Sequence, residues 1–301
     1  MRKLFREFKN SLKDASVEDM MDLFVFRPIA FIIVKLIYRL PVTPNQLSIL
    51  AILAGIVSGV FFALGTPKSF VYAGLFYALA HIFDCCDGMI ARLKKNGTFI
   101  GRIIDGFADY ATTTAVYVGF NLGLYKAGFE FFVTPWILVA STGFCMIVHS
   151  LVVDYYRSEF MAHALDIVNS THEDREQFKA ELKKLNRKKG NYFPKLVIWV
   201  YLGYSRIQLF TKKEKTEYDP DTYYRSNRLL ISLWSWIASP TYVAVMVITA
   251  IVFRPVVLFY YSLIAGNIWM IILLFFQVRT NKKIANKADG IPAGGQTFEK
   301  V

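Results

Sequence analysis

Six apolar runs, near 46–64, 68–92, 101–127, 132–156, 229–253 and 256–278, dominate the 301-residue sequence. Each has the roughly 20 residues that an α-helix needs to cross a hydrocarbon core of about 30 Å. Apolar residues make up 54% of the chain and the mean hydropathy is +0.36, which points to a polytopic membrane protein. The expected fold is an all-α membrane protein with six transmembrane helices. Length alone is compatible with one or two domains. The formal charge of +12 suits nucleic acid or anionic lipid. Because that charge lies between the apolar runs, membrane topology is the better reading and no nucleic-acid partner is expected.

Six spans place both termini on one side. Loops 93–100 and 157–228 and the tail after 278 share that side and hold most of the Lys and Arg, whereas the opposite loops offer only Lys68, Lys126 and Arg254. The positive-inside bias therefore assigns the termini to the cytoplasmic face. The layout expected is N-terminal amphipathic and juxtamembrane helices at 1–40, spans one to four at 41–156, a basic cytoplasmic insert at 157–228, spans five and six at 229–278, and a flexible tail at 279–301.

At the N-terminus, Arg2, Lys3, Arg6, Lys9 and Lys13 interleave with Leu4, Phe5, Phe8 and Leu12, as in a basic amphipathic helix lying on an anionic leaflet; an ordinary solvated helix is the alternative. No cleavable signal peptide is visible. Residues 23–38 are apolar but carry Arg27, Pro28 and Lys35, so this piece reads as interfacial or steeply tilted, its basic side chains snorkelling. Within the insert, His172 to Lys189 reads as a solvated helix and Pro194 to Phe210 as an amphipathic piece, serving either as a substrate cap or as an elaboration. Pro240 and Gly266 suggest kinks or tight helix packing. Cys85, Cys86 and Cys145 fall in apolar runs and suit neither a disulfide staple nor a zinc pattern.

Four acids interrupt two of the apolar runs: Asp84, Asp87, Asp105 and Asp109. An acid in a membrane span costs roughly 2.5–3.5 kcal/mol, so it is a functional candidate by default. At about 100° per residue, Asp84, Asp87, Gly88 and Ala91 share one face of the first helix. Gly101, Asp105 and Asp109 recur every fourth residue on a face of the second. Two carboxylates from each of two facing helices make an all-oxygen site for hard cations such as Mg²⁺ or Mn²⁺. Interhelical ion pairing is the bland alternative, but Arg92 and Arg102 cannot neutralise four carboxylates. His81, one turn before Asp84, is a packing or interfacial histidine more readily than one that orients a carboxylate.

The pattern Asp84-x-x-Asp87-Gly88-x-x-Ala91-Arg92, eight residues, then Gly101-x-x-x-Asp105-x-x-x-Asp109, resembles the signature of the CDP-alcohol phosphotransferase (CDP-alcohol phosphatidyltransferase) family, with all eight positions filled. The resemblance covers about a tenth of the chain. It implies phosphotransfer from a CDP-linked donor to a hydroxyl acceptor with release of CMP, in a two-metal site of Mg²⁺ or Mn²⁺. Asp84, Asp87 and Asp105 would be metal ligands and Asp109 the general base, touching the second metal as well. Gly88 and Ala91 would let the nucleotide approach closely, Arg92 would hold donor phosphate, and Gly101 would keep the loop-to-helix entry tight. Asp84 would also border the nucleotide. Asn45 can cap the helix that follows, and the turn Thr43-Pro44-Asn45 would line the nucleotide pocket. Arg157 is the residue nominated for the acceptor, with a positive-inside anchor as its alternative. The chain departs from the Ser-Tyr-x-x-Ala-Arg-like pattern associated with phosphorylated acceptors, which puts such an acceptor in doubt.

The resemblance further implies a homodimer. The donor expected is CDP-diacylglycerol with a small polar acceptor; otherwise CDP-choline or CDP-ethanolamine with a lipid alcohol. Outside the family, a cation-coupled transporter would place its acids near mid-membrane on broken helices, whereas these lie at cytoplasmic helix ends. A non-catalytic scaffold would have no reason to keep the four acids.

Overall fold

Proline and a capping residue start most of the long helices. The computed structural model describes residues 2–12, 16–96, 99–165 and 218–289 with scattered positions between 179 and 202, the side chains of 2–4, 99–107 and 286–289 excepted. Among them every element is helical: α1 (Arg2–Ser11), a π-turn (Asp22–Phe26), α2 (Arg27–Ile37), α3 (Pro44–Ala63), α4 (Pro67–Lys94), α5 (Phe99–Lys126), α6 (Pro135–Ala164), α7 (Pro220–Trp234), a 3₁₀ turn (Ser235–Ile237), α8 (Ser239–Ile251), α9 (Val256–Phe259), a second π-turn (Tyr260–Ala265) and α10 (Gly266–Asp289). Proline suits a first helical turn, where its missing N–H has no partner to lose. At α3 the Thr43 N–H donates to Gln46 Oε1 at 2.9 Å. At α4 the Ser69 N–H donates to Thr66 Oγ1 at 3.2 Å, and at α7 the Thr222 N–H donates to Asp219 Oδ2 at 2.9 Å. The far end of α4 stops at Lys95, whose backbone is left-handed at φ 52°.

Five stretches are long and apolar enough to cross a membrane: Pro44–Ala63, Pro67–Lys94, Pro135–Ala164, Pro220–Ile251 and Val256–Ala285. They correspond to five of the six expected runs. The sixth falls on α5, a 28-residue helix packed along α3. The α3–α5 crossing is close because glycine allows it. A Cβ on Gly119 would stand 2.0 Å from the Gly59 carbonyl oxygen, and one on Gly59 would stand 2.4 Å from that of Ala115. Beyond the crossing, Phe62, Phe70, Phe120 and Phe253 pack edge-on, with Phe62 5.1 Å from Phe70 and Phe70 4.9 Å from Phe253.

The expected fifth span is two helices. Ser235–Ile237 tightens into a 3₁₀ turn between α7 and α8, and Pro240 lies in the first turn of α8. Pro240 therefore starts a helix and does not kink one. Gly266 does tighten packing, since a Cβ there would meet His149 Cε1 at 2.7 Å. The π-turn ahead of it frees carbonyls that Asn267 takes up, its amide donating to the Ser262 and Leu263 oxygens at 3.0 and 3.1 Å. Helix α6 continues to Ala164, and α10 runs through Asp289, so residues 279–289 of the expected flexible tail are helical. The helical pieces expected within 172–210 and the tail after 289 lie outside the described residues.

The N-terminal segment overturns one expectation. Arg27 does not snorkel. It is 7% exposed, and its Nη2 lies 2.8 Å from Glu18 Oε2. Residues 16–26 thus form a strap folded back into the bundle, because a guanidinium inside a membrane protein needs a carboxylate beside it. Helix α1 lies against α4 and touches α2 through side chains, with Phe8 edge-on to Phe31 at 5.2 Å and Lys35 Nζ 2.6 Å from Glu7.

Two outcomes follow from this packing. Gly119→Val should wedge α3 from α5 and lower stability by about 1–3 kcal/mol or more, the cost typical of overpacking, read as thermal unfolding in detergent. Arg27→Leu should remove the buried cation beside Glu18 and Asp22 at a cost of roughly 3–5 kcal/mol, read as faster backbone hydrogen exchange over residues 16–26; unchanged exchange there would contradict the strap's dependence on this pair.

Candidate functional site

A cavity of about 640 Å³ opens where the strap, α3, α4, α5, α6 and α8 meet. Asp84 of α4 and Asp109 of α5 both line it, as does Arg157 of α6. The two acids reach one space because each sits on a long helix near the same end of the bundle, Asp84 in the last turns of α4 and Asp109 in the third turn of α5. Small or hydroxylated residues give them room: Ala51 on α3, Ala80 on α4, and Ala108, Thr112 and Thr113 on α5.

Asp87 lies on the same helix but is only 5% exposed. One of its oxygens accepts a hydrogen bond from Ser48 Oγ of α3 at 2.5 Å. Ser48 therefore fixes the rotamer of this acid. The side chain of Asp105 and the surroundings of Gly101 lie outside the described residues; both belong to the first turns of α5.

Arg92 folds back along its own helix. A Cβ on Gly88 would stand 3.2 Å from an Arg92 terminal nitrogen, so Gly88 gives the guanidinium a place to lie. Arg92 Nε donates to the Ser11 carbonyl oxygen at the end of α1, 2.6 Å away. Two residues on, Lys94 Nζ donates to the Leu40 and Val42 oxygens at 2.8 and 3.0 Å. Lys94 thereby ties the Thr43-Pro44-Asn45 turn to the end of α4 that carries Ala91 and Arg92. Thr43, Pro44 and Asn45 thus lie at the same end of α4 as Gly88, Ala91 and Arg92, although none of these six lines the cavity.

The strap adds residues that sequence reasoning missed. Glu18, Asp19, Asp22 and Arg27 all line the cavity. Asp22 Oδ1 lies 2.8 Å from His81 Nε2, and its Oδ2 lies 3.7 Å from Arg27 Nε. His81 therefore does orient a carboxylate, but that of Asp22 in the strap, while also packing edge-on to Phe26 at 4.6 Å. Arg157 Nη2 donates to Asp19 Oδ1 at 2.5 Å, and its Nη1 lies 3.9 Å from Asp154. Burial pushes the Asp22 carboxyl up, but the hydrogen bond and charge of His81, with Arg27 and Arg157, outweigh it and leave the pKa below the ordinary value. For Asp19 burial prevails over Arg157, and its pKa stands above the ordinary value. The signal that could have exposed the strap was Arg27, a guanidinium in an apolar run that needs acids, with Glu18, Asp19 and Asp22 just before it.

The cavity's donor set fits a hard divalent cation. Asp84 and Asp109 offer carboxylate oxygens in one space, and Asp87 is held by Ser48 one turn from Asp84. A second group, Asp22, His81 and Cys85, has its ligand atoms within 4.8 Å of one another. Its carboxylate already serves His81 and stands beside the Arg27 cation, which disfavours a metal there.

Comparison with known proteins agrees with this site. Residues 41–172, from the Thr43 turn through α6, match the family model described as CDP-alcohol phosphatidyltransferase. The chain is 30% identical over 126 residues to a phosphatidylinositol phosphate synthase of Corynebacterium glutamicum, covering 42% of this chain and 54% of that protein. It is 38% identical over 73 residues to a bifunctional IPC transferase and DIPP synthase of Archaeoglobus fulgidus, covering 23% of this chain and 14% of that one. A protein of the same description from Thermococcus kodakarensis is 39% identical over 72 residues, covering 23% and 16%. The chain thus spans about half the length of the corynebacterial relative and about a sixth or less of the archaeal ones. With the motif, the carboxylate cavity and these matches together, residues 41–172 are a CDP-alcohol phosphatidyltransferase domain.

Proposed function

We propose that the chain is a membrane enzyme of phospholipid biosynthesis that transfers a phosphatidyl group from CDP-diacylglycerol to an alcohol hydroxyl and releases CMP. The observation that carries this reading is the meeting of Asp84 and Asp109 in one cavity inside a domain of this family. Phosphatidyl transfer puts the lipid on the transferred phosphate, which favours CDP-diacylglycerol over CDP-choline or CDP-ethanolamine as donor. The corynebacterial relative, a phosphatidylinositol phosphate synthase, supports the same choice. We place α5 as the third of six spans, the termini and the cavity on the cytoplasmic side, α1 against an anionic leaflet, and two copies of the chain in a homodimer.

In this reading Asp84, Asp87, Asp105 and Asp109 would hold Mg²⁺ or Mn²⁺, with Ser48 fixing Asp87. Bound divalent ions would supply charge neutralisation on the donor pyrophosphate. Asp109, which is solvent-accessible at the cavity, takes the proton of the acceptor hydroxyl. The hydroxyl oxygen forms its bond to the phosphatidyl phosphorus as the bond from that phosphorus to the CMP oxygen breaks, and CMP leaves with the electron pair. Arg92, delocalised and permanently charged, offers donors to the donor's phosphates, while Thr43, Pro44, Asn45, Gly88, Ala91 and Gly101 shape the nucleotide's berth.

Purified protein should release CMP from CDP-diacylglycerol only with Mg²⁺ or Mn²⁺ and an alcohol present. Asp109→Asn should lower that rate roughly 10²–10⁴-fold, the usual worth of a general base; full activity in this variant would remove Asp109 from the role. Ser48→Ala should raise the metal concentration for half-maximal rate by about 10–100-fold, as expected when a partner that orients a metal ligand is lost, with little change in the rate at saturating metal.

A further inference from the structure

The acids and cations of the strap bear on which alcohol the cavity accepts. Setting aside Asp84 and Asp109, the charged groups lining it among the described residues are Glu18, Asp19 and Asp22 against Arg27, Arg157 and His81. Each of these cations has a carboxylate partner: Glu18 for Arg27, Asp19 for Arg157 and Asp22 for His81. An acceptor bearing a phosphate would find no cation surplus here and would have to displace a buried carboxylate from an arginine. The hydrogen-bonding capacity points elsewhere. Among the described residues, Arg27 Nε and Nη1, Arg157 Nε and Thr112 Oγ1 are buried without a hydrogen-bond partner, and all belong to residues of the cavity wall. Buried donors of this kind are costly until an oxygen reaches them. A wall that alternates donors with carboxylate acceptors, and sums to little charge, complements hydroxyl groups, which donate and accept at once.

We infer that the acceptor is an uncharged polyhydroxy alcohol and not its phosphomonoester, and that Asp19 is a specificity-determining residue because it occupies the Arg157 guanidinium. Asp19 comes from the strap, outside the matched domain at 41–172, so the choice of acceptor is made by a segment that the domain itself does not contain. This inference rests on the phosphotransferase reading for its substrate but not for its geometry. Removing the Asp19 charge would leave Arg157 beside the exposed Asp154, 3.9 Å away, and turn its Nη2 toward an anion, at a position where a guanidinium fork matches phosphate oxygens.

The test uses the full chain in detergent with CDP-diacylglycerol and Mn²⁺, comparing inositol and glycerol with inositol phosphate and glycerol phosphate. Wild type should release CMP at least ten-fold faster with a polyol than with its phosphate, and Asp19→Asn should shift that ratio at least ten-fold toward the phosphate. Adding Arg157→Gln to Asp19→Asn should abolish the shift. A wild-type preference for the phosphates, or a ratio unmoved by Asp19→Asn, would overturn the inference. Equilibrium binding of inorganic phosphate is read on the same samples, so that the inference stands or falls apart from turnover. Phosphate binding by Asp19→Asn but not by wild type supports it, and equal binding by both overturns it. Absence of CMP with every acceptor would instead overturn the phosphotransferase reading, while phosphate binding still decides the role of Asp19.

Discussion

A guanidinium cannot be carried into a bundle of this kind alone, and Arg27 is 7% exposed. Its burial requires acids close by, and the acids it meets are Glu18 and Asp22. For them to arrive, residues 16–26 must turn back against α4, and the rest of the N-terminus follows: α1 is drawn against α4 and α2, and its last carbonyls come within reach of Arg92. The same fold-back delivers Asp22 to His81 and Asp19 to Arg157. One unfavourable desolvation, offset by a specific pairing, therefore closes the side of the cavity. Buried pairs of this sort contribute little net stability but are costly to break, which makes them better suited to fixing an arrangement than to strengthening it.

How much of this was legible in the sequence depends on whether the signal was local. Five of the six spans were, because length and apolarity are properties of a contiguous run, and the turn at Thr43-Pro44 was, because it acts on its own helix. The placing of Asp84 and Asp109 in one cavity was also foreshadowed, since helical spacing aligns acids on a face and a short loop brings α4 and α5 together. The strap was not, because its pairs are long-range. Arg157 and Asp19 are separated by 138 positions, and no periodicity records such a contact. The division of the fifth span at Ser235–Ile237 and the π-turn at Tyr260–Ala265 escaped for another reason: both lie in apolar composition and are shifts of hydrogen-bond register by one residue. Arg27 shows where a local rule misled. Snorkelling is the ordinary fate of an arginine near a span's end, but it loses to acids that lie one or two turns away.

The arginines of the site divide by the kind of partner they keep. Arg27 and Arg157 are held by carboxylates, so each pair presents little net charge to its surroundings. Arg92 is held by the Ser11 carbonyl at the C-terminal end of α1, a dipole's negative pole that orients the guanidinium without cancelling a full charge. A pyrophosphate donor needs fixed positive charge at its oxygens, and a neutral alcohol needs hydrogen bonds without a strong field. On the proposed reading the two requirements would be met by the same residue type in different company: Arg92 beside Gly88 for the donor, and Arg27 and Arg157, paired with acids of the strap, for the acceptor. On that reading the division would account for an acidic strap in a chain that as a whole is strongly basic. Its carboxylates would screen two arginines from the ligand, so that the positive charge of the site is kept for the donor phosphates.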